Sequence, residues 1–140
     1  MSTQPGSSSR WDHLAIRSGA SVALVFAVPF SIAARIFSDN SGLAVFLALC
    51  AALGFLLGSA IAAWHQQRGT PLTHAMVTAS ATYIAAQTIF IVVKLVRGAE
   101  VHWIAVLFNF TITLTVSVLG GFIGSVMQQR GVLPQGRRKL

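Results

Sequence analysis

Four apolar runs, about 14–37, 43–64, 72–96 and 103–127, take up most of the sequence, and none of them holds an aspartate or a glutamate. About 20 helical residues cross the hydrocarbon core of a bilayer. Inside that core every backbone N–H and C=O must be paired within its own segment or in a closed barrel. Runs of this length therefore predict helices, including the last one, where Thr111, Thr113, Thr115 and Ser117 alternate in a strand-like way. The implied fold is an all-α bundle of four transmembrane helices. In a chain of 140 residues this gives a membrane domain over 14–129, a polar tail over 1–13 and a basic tail over 130–140, with no room for a soluble catalytic domain. A mean hydropathy of +0.71 with only 9% charged residues is the balance of a chain dissolved in lipid.

Local signals set the boundaries. Residues 1–13 are rich in Ser, Gly and Pro and close on Arg10 and Trp11, which predicts a disordered cytoplasmic tail ending in an interfacial anchor. A cleaved signal peptide is the competing reading, but the apolar run continues to Ala34 and is too long for an h-region. Pro29 removes a backbone donor and predicts a bend near residues 25–28. Arg17 and Arg35 are placed to snorkel outward from the two ends of span 1, and Lys94 to reach the head groups from span 3. Ser38-Asp39-Asn40-Ser41-Gly42 reads as a turn. After Trp64 and His65, Gly69 is placed to cap one helix and Pro71 to open the next.

Ten Lys/Arg stand against Asp12, Asp39 and Glu100, a formal charge of +7. Arg10, Arg17, Arg68, Arg130, Arg137, Arg138 and Lys139 fall on the side of the two tails, and Arg35, Lys94 and Arg97 on the other. Excess positive charge marks the cytoplasmic face, so both termini are expected in the cytoplasm of a cell-membrane protein. Basic residues at span ends, with no folded basic surface between them, suit a bilayer with anionic head groups and do not suit nucleic acid. Cys50 is the single cysteine and excludes an intramolecular disulfide or a cysteine metal cluster.

Gln66-Gln67-Arg68-Gly69 recurs as Gln128-Gln129-Arg130-Gly131, and the same offset of 62 pairs Arg35 with Arg97, Phe46 with Phe108, Leu57-Gly58 with Leu119-Gly120 and Ile61 with Ile123. Two readings stay open: duplicated helical hairpins over about 17–69 and 79–131, related by an axis along the membrane normal, or two helix ends that need the same residues at one interface.

Gly54, Gly58 and Ala62 follow at intervals of four on span 2, and Gly120, Gly121 and Gly124 lie on span 4. Small residues at this spacing let helix backbones approach where lipid removes the hydrophobic incentive. The intramembrane polar residues form two stripes: Ser80, Tyr83, Gln87 and Lys94 on span 3, and Asn109, Thr113 and Ser117 on span 4. Polar groups in lipid face the bundle, so these are the site candidates, and Gln87 and Asn109 are expected at depths about 4–5 Å apart, within reach of each other or one bridging water. His13, His65, His74 and His102 fall at span ends and are expected to be solvated or at the lipid interface there. No third ligand completes a metal site near His65 and His74, no cofactor motif is present, and no nucleophile elbow or carboxylate pair suggests an enzyme. The absence of intramembrane acids also removes carboxylate-dependent proton or sodium exchangers.

Gly54-Phe55-Leu56-Leu57-Gly58, Pro71-Leu72-Thr73-His74 and Gly120-Gly121-Phe122-Ile123-Gly124 together resemble small four-helix bacterial integral membrane proteins, a resemblance over most of residues 14–131 that implies no activity. Gly42-Leu43-Ala44-Val45-Phe46-Leu47 and Trp64-His65-Gln66 are more faintly similar to the accessory membrane subunit encoded with bacterial ATP synthases. The function expected first is non-enzymatic association through helix packing, with a second copy or within a larger membrane complex. The alternative is a pore or carrier for a neutral or anionic solute between the two stripes. On a Cys50→Ala background, an impermeant thiol reagent applied to intact cells should label Ser41→Cys and leave Ser8→Cys untouched; labelling of Ser8→Cys would reverse the topology.

Overall fold

The first helix starts where Asp12 caps it: its carboxylate accepts the Ala15 N–H at 3.1 Å, satisfying one of the donors that a helix start leaves open. The structure, a computed structural model, describes residues 10–132; the expectations for residues 1–9 and 133–140 lie outside them. The elements are α1 (His13–Ile36), α2 (Ser41–His65), α3 (Pro71–Val96) and α4 (Trp103–Gln129), each long and apolar enough to cross a membrane. Asn40 caps α2 by accepting the Leu43 N–H at 3.1 Å, and Pro71 opens α3, where its missing donor is harmless. α1 runs through Pro29 without a break.

α3 and α4 end alike. Gly98 and Gly131 take φ of +67° and +72°. The N–H of each glycine and of the residue after it turn back to the helix, Ala99 to the Lys94 carbonyl at 2.9 Å and Val132 to that of Met127 at 3.2 Å. This doubled closure requires a left-handed residue, which glycine adopts without strain. Gly69, expected as a cap, has φ +73° but sits in the α2–α3 loop, because α2 already ends at His65 with Gln66 extended behind it.

α2 and α3 form the central pair. Each touches both α1 and α4, whereas α1 and α4 do not meet. The α1–α2 and α3–α4 turns share one end of the bundle, called the hairpin end below; Asp12, the α2–α3 loop and Arg130 share the other, the terminal end. Side chains are sorted in the opposite sense to a water-soluble domain. The buried hydrophobic residues are alanines and Phe55, whereas Ile104 and Val96 are 86% and 83% exposed. Large apolar residues turned outward all round a bundle match an apolar solvent.

Small residues on the inside set the helix separations. Ala15, Gly19, Ala23 and Ala27 make a buried stripe along α1. A Cβ added at Gly19 would run into the Gly58 carbonyl, and one at Gly58 would lie 2.7 Å from the Ala23 Cβ. Gly54 faces Phe26 and Ala27, Gly120 faces the Leu56 carbonyl and Ser59, and Gly124 faces the Ala60 carbonyl and Ala63. Gly121 turns the other way, toward Ala75 and Leu72 of α3. α2 is therefore flanked by backbone-close contacts on two sides.

The two halves related by the 62-residue offset do not pack as equivalents. Gly58 faces α1 of its own hairpin, whereas Gly120 faces α2 of the other. Equivalent hairpins about an axis along the normal would also pair α1 with α4 as α2 pairs with α3, and that contact is missing. The glutamines of the repeated tetrapeptide nevertheless meet: Gln66 Nε2 donates to Gln128 Oε1 at 3.1 Å, and Gln128 Nε2 donates to the Gln66 carbonyl at 2.6 Å.

Methyl groups at the close contacts have no space to enter. Gly58→Ala and Gly120→Ala should each destabilise the protein in detergent by about 1–3 kcal/mol, read as the unfolding midpoint. Leu49→Ala, at a residue 61% exposed, should change stability by less than about 0.5 kcal/mol.

Candidate functional site: a polar cleft at the hairpin end

The small-residue stripe of α1 stops at Ala27, and from there to the hairpin end the four helices part. Between them lies a cleft of about 350 Å³ that starts at Ser38 in the α1–α2 turn. Its lining residues furthest from the turns are Phe55, Tyr83 and Thr113, about halfway along their helices. The Phe55 and Tyr83 rings stand 6.4 Å apart and those of Tyr83 and Phe110 5.4 Å apart, forming an aromatic floor. Below it the close contacts of the terminal half begin.

Toward the mouth the lining turns polar and cationic. Arg35 reaches to α3 and lays its guanidinium over the Phe90 ring, 4.4 Å from the centroid, a cation–π contact that holds the charge at the mouth. Arg35 stays exposed in the last turn of α1, as snorkelling from the span end predicts, while its head group leans over the cleft mouth. Gln87 and Asn109 line the same cleft. Both also line an adjoining recess of about 90 Å³ with Arg35, Lys94 and His102. No aspartate or glutamate lines either space, and among the described residues neither Arg35 nor Lys94 is ion-paired; the ammonium of Lys94 has only a long contact, 3.4 Å, to the Glu100 carbonyl.

The candidates from the sequence separate here. Tyr83, Gln87, Asn109 and Thr113 come together around the cleft, while Ser80 and Ser117 are not part of its lining. Ser117 is buried and donates to the Leu114 carbonyl of its own helix at 2.7 Å, as Thr113 does to that of Asn109 at 2.8 Å. One stripe residue bridges α3 and α4 by a hydrogen bond among the described residues: Tyr83 donates its hydroxyl to the Val106 carbonyl at 2.7 Å. Gln87 and Asn109 share the cleft, as their depths predict, and no direct hydrogen bond joins them. Arg35 and Phe90 were missed as site residues. The available signal was that the cations on the hairpin side have no acid within any span to answer them.

At the terminal end His74 is fully buried, contrary to the expectation of a solvated or lipid-interface histidine. Its Nε2 accepts the Asp12 N–H at 3.0 Å and its Nδ1 lies 2.9 Å from the Thr70 carbonyl. A carbonyl only accepts, so the proton sits on Nδ1 and the ring is neutral. Gln66, equally buried, accepts the N–H groups of Arg68 and Thr70 at 2.7 and 3.2 Å and so folds the α2–α3 loop. Both residues are structural ties for backbone that would otherwise be unpaired.

The chain matches no family model, no curated protein and no solved structure. Because Gln87 and Asn109 are not bonded, a double-mutant cycle of Gln87→Leu and Asn109→Leu should be additive within about 0.5 kcal/mol. Tyr83→Phe should by itself lose about 0.6–2 kcal/mol of stability, the range for an interhelical hydrogen bond. A coupling well above 0.5 kcal/mol would mean that the two amides meet after all.

Proposed function

We propose that the chain is a non-enzymatic, multi-pass protein of the cell membrane, with both termini cytoplasmic, that takes up a small anionic solute through the cleft on its outer side. The observation that supports this most is the meeting of Arg35 with the Gln87 and Asn109 amides in a cleft bordered by all four helices, with Lys94 joining the same three residues in the adjoining recess and no acidic side chain lining either space. Cations in a cleft with low-dielectric walls concentrate anions. A guanidinium binds a two-oxygen anion through paired N–H groups, and the amides add neutral donors. The glycines that suggested association with a partner are engaged inside the chain, Gly58 with Gly19 and Gly120 with Leu56 and Ser59, so the small-residue stripes no longer favour a docking role.

The purified protein should gain unfolding free energy in the presence of at least one of chloride, phosphate, acetate or benzoate, about 1.4 kcal/mol at ten times the dissociation constant. Arg35→Gln should remove the gain. No stabilisation by any of the four, or equal stabilisation of parent and Arg35→Gln, would refute the reading.

A further inference from the structure

The two ends of the cleft differ in chemistry, and together they specify more than a charge. At the mouth, Arg35 is held against the Phe90 ring, and among the described residues its N–H groups are not hydrogen-bonded to protein. At the floor, Phe55 and Tyr83 present ring surface, and the Tyr83 hydroxyl is already spent on the Val106 carbonyl, so the floor offers no free donor. Ala51 and Ile112 complete an apolar wall. A hydrated inorganic anion could meet Arg35 but would leave some 350 Å³ and an aromatic floor unused. A neutral apolar molecule would fill the floor and leave a cationic mouth unanswered.

We infer that the ligand is an amphipathic organic monoanion, a carboxylate with an aromatic or short acyl body, its carboxylate on Arg35 and its apolar body on the Phe55–Tyr83 floor. This rests on the anion-binding reading above and adds the class of anion. The volume falls at the lower end of the range for small-molecule sites, about 300–1,000 Å³, which suits a body of roughly six to ten carbons. Carboxylate and guanidinium match fork to fork. The apolar body gains by leaving water for the aromatic floor, and this second contribution separates such a ligand from acetate or chloride.

The chain has one tyrosine, and it lies at the floor, so replacing it biosynthetically with 3-fluorotyrosine gives the full-length protein a single fluorine reporter at the proposed contact. In detergent, benzoate should shift that resonance saturably. Benzamide, of the same shape without the charge, and inorganic phosphate should each need at least tenfold higher concentration to bind or to displace it. Arg35→Gln should reduce benzoate to the level of benzamide, with Arg35→Lys in between because it keeps the charge and loses the fork. Phe55→Leu, a milder change in the floor, should weaken benzoate several-fold and leave phosphate unaltered. Benzamide binding as tightly as benzoate, or phosphate displacing benzoate at equal concentration, would overturn the organic-anion assignment. Calorimetric binding of phosphate or chloride with no fluorine response to benzoate would do so while leaving the anion site standing. No binding of any anion would remove both.

Discussion

Everything in this bundle depends on how closely α1 and α2 approach at Gly19 and Gly58, where a carbonyl of each helix occupies the place that a side chain of the other would need. Lipid tails are as apolar as leucine, so burying leucines between helices gains nothing there. Association rests on dispersion at short range and on polar contacts. Alanine, glycine, serine and threonine inside, with isoleucine, valine and phenylalanine outside, is the sorting that follows. Because α2 takes such contacts from α1 on one side and from Gly120 and Gly124 of α4 on the other, it is the element around which the others are placed.

The cleft is the other side of that constraint. Four helices drawn together at one end by small residues need either matching small residues or a filled space at the other. Here the space is bordered by Arg35, Gln87 and Asn109 and closed below by Phe55 and Tyr83. Apart from Tyr83, which ties α3 to α4, the stripe hydroxyls do little to join the helices, since Thr113 and Ser117 return their protons to their own helix. They leave a lined cavity, and the same geometry that makes the terminal half tight keeps the hairpin half open to a guest.

The helices were legible because hydropathy over some two dozen residues averages out local detail, and each helix end fell within about two residues of the end of its apolar run. The glycine contacts on α2 and α4 were legible for the same reason that glycine is rare in helices: its presence asks for an explanation. The partner stripe on α1 escaped because Ala15, Ala23 and Ala27 are ordinary in a membrane span and only Gly19 stands out. His74 was misplaced by the rule that polar residues near span ends face water. The rule holds for side chains without a nearer partner, and it failed where the backbone N–H of Asp12 and the carbonyl of Thr70 stood closer. The repeated tetrapeptide could not be read from identity alone. Gln66 leaves its helix and organises a loop that ends in a proline, whereas Gln128 stays helical.

The missing contact between α1 and α4 bears on how the molecule is assembled. α1 finds all of its partners in α2 and α3, so the first three spans form a unit whose interfaces can close while the ribosome is still making the fourth. α4 then has one place to go, the groove of α2 and α3, and Gln128 arrives at its foot to meet a Gln66 already committed to the loop above it. The order of synthesis is in this way also an order of closure, and the pair of glutamines is its last joint.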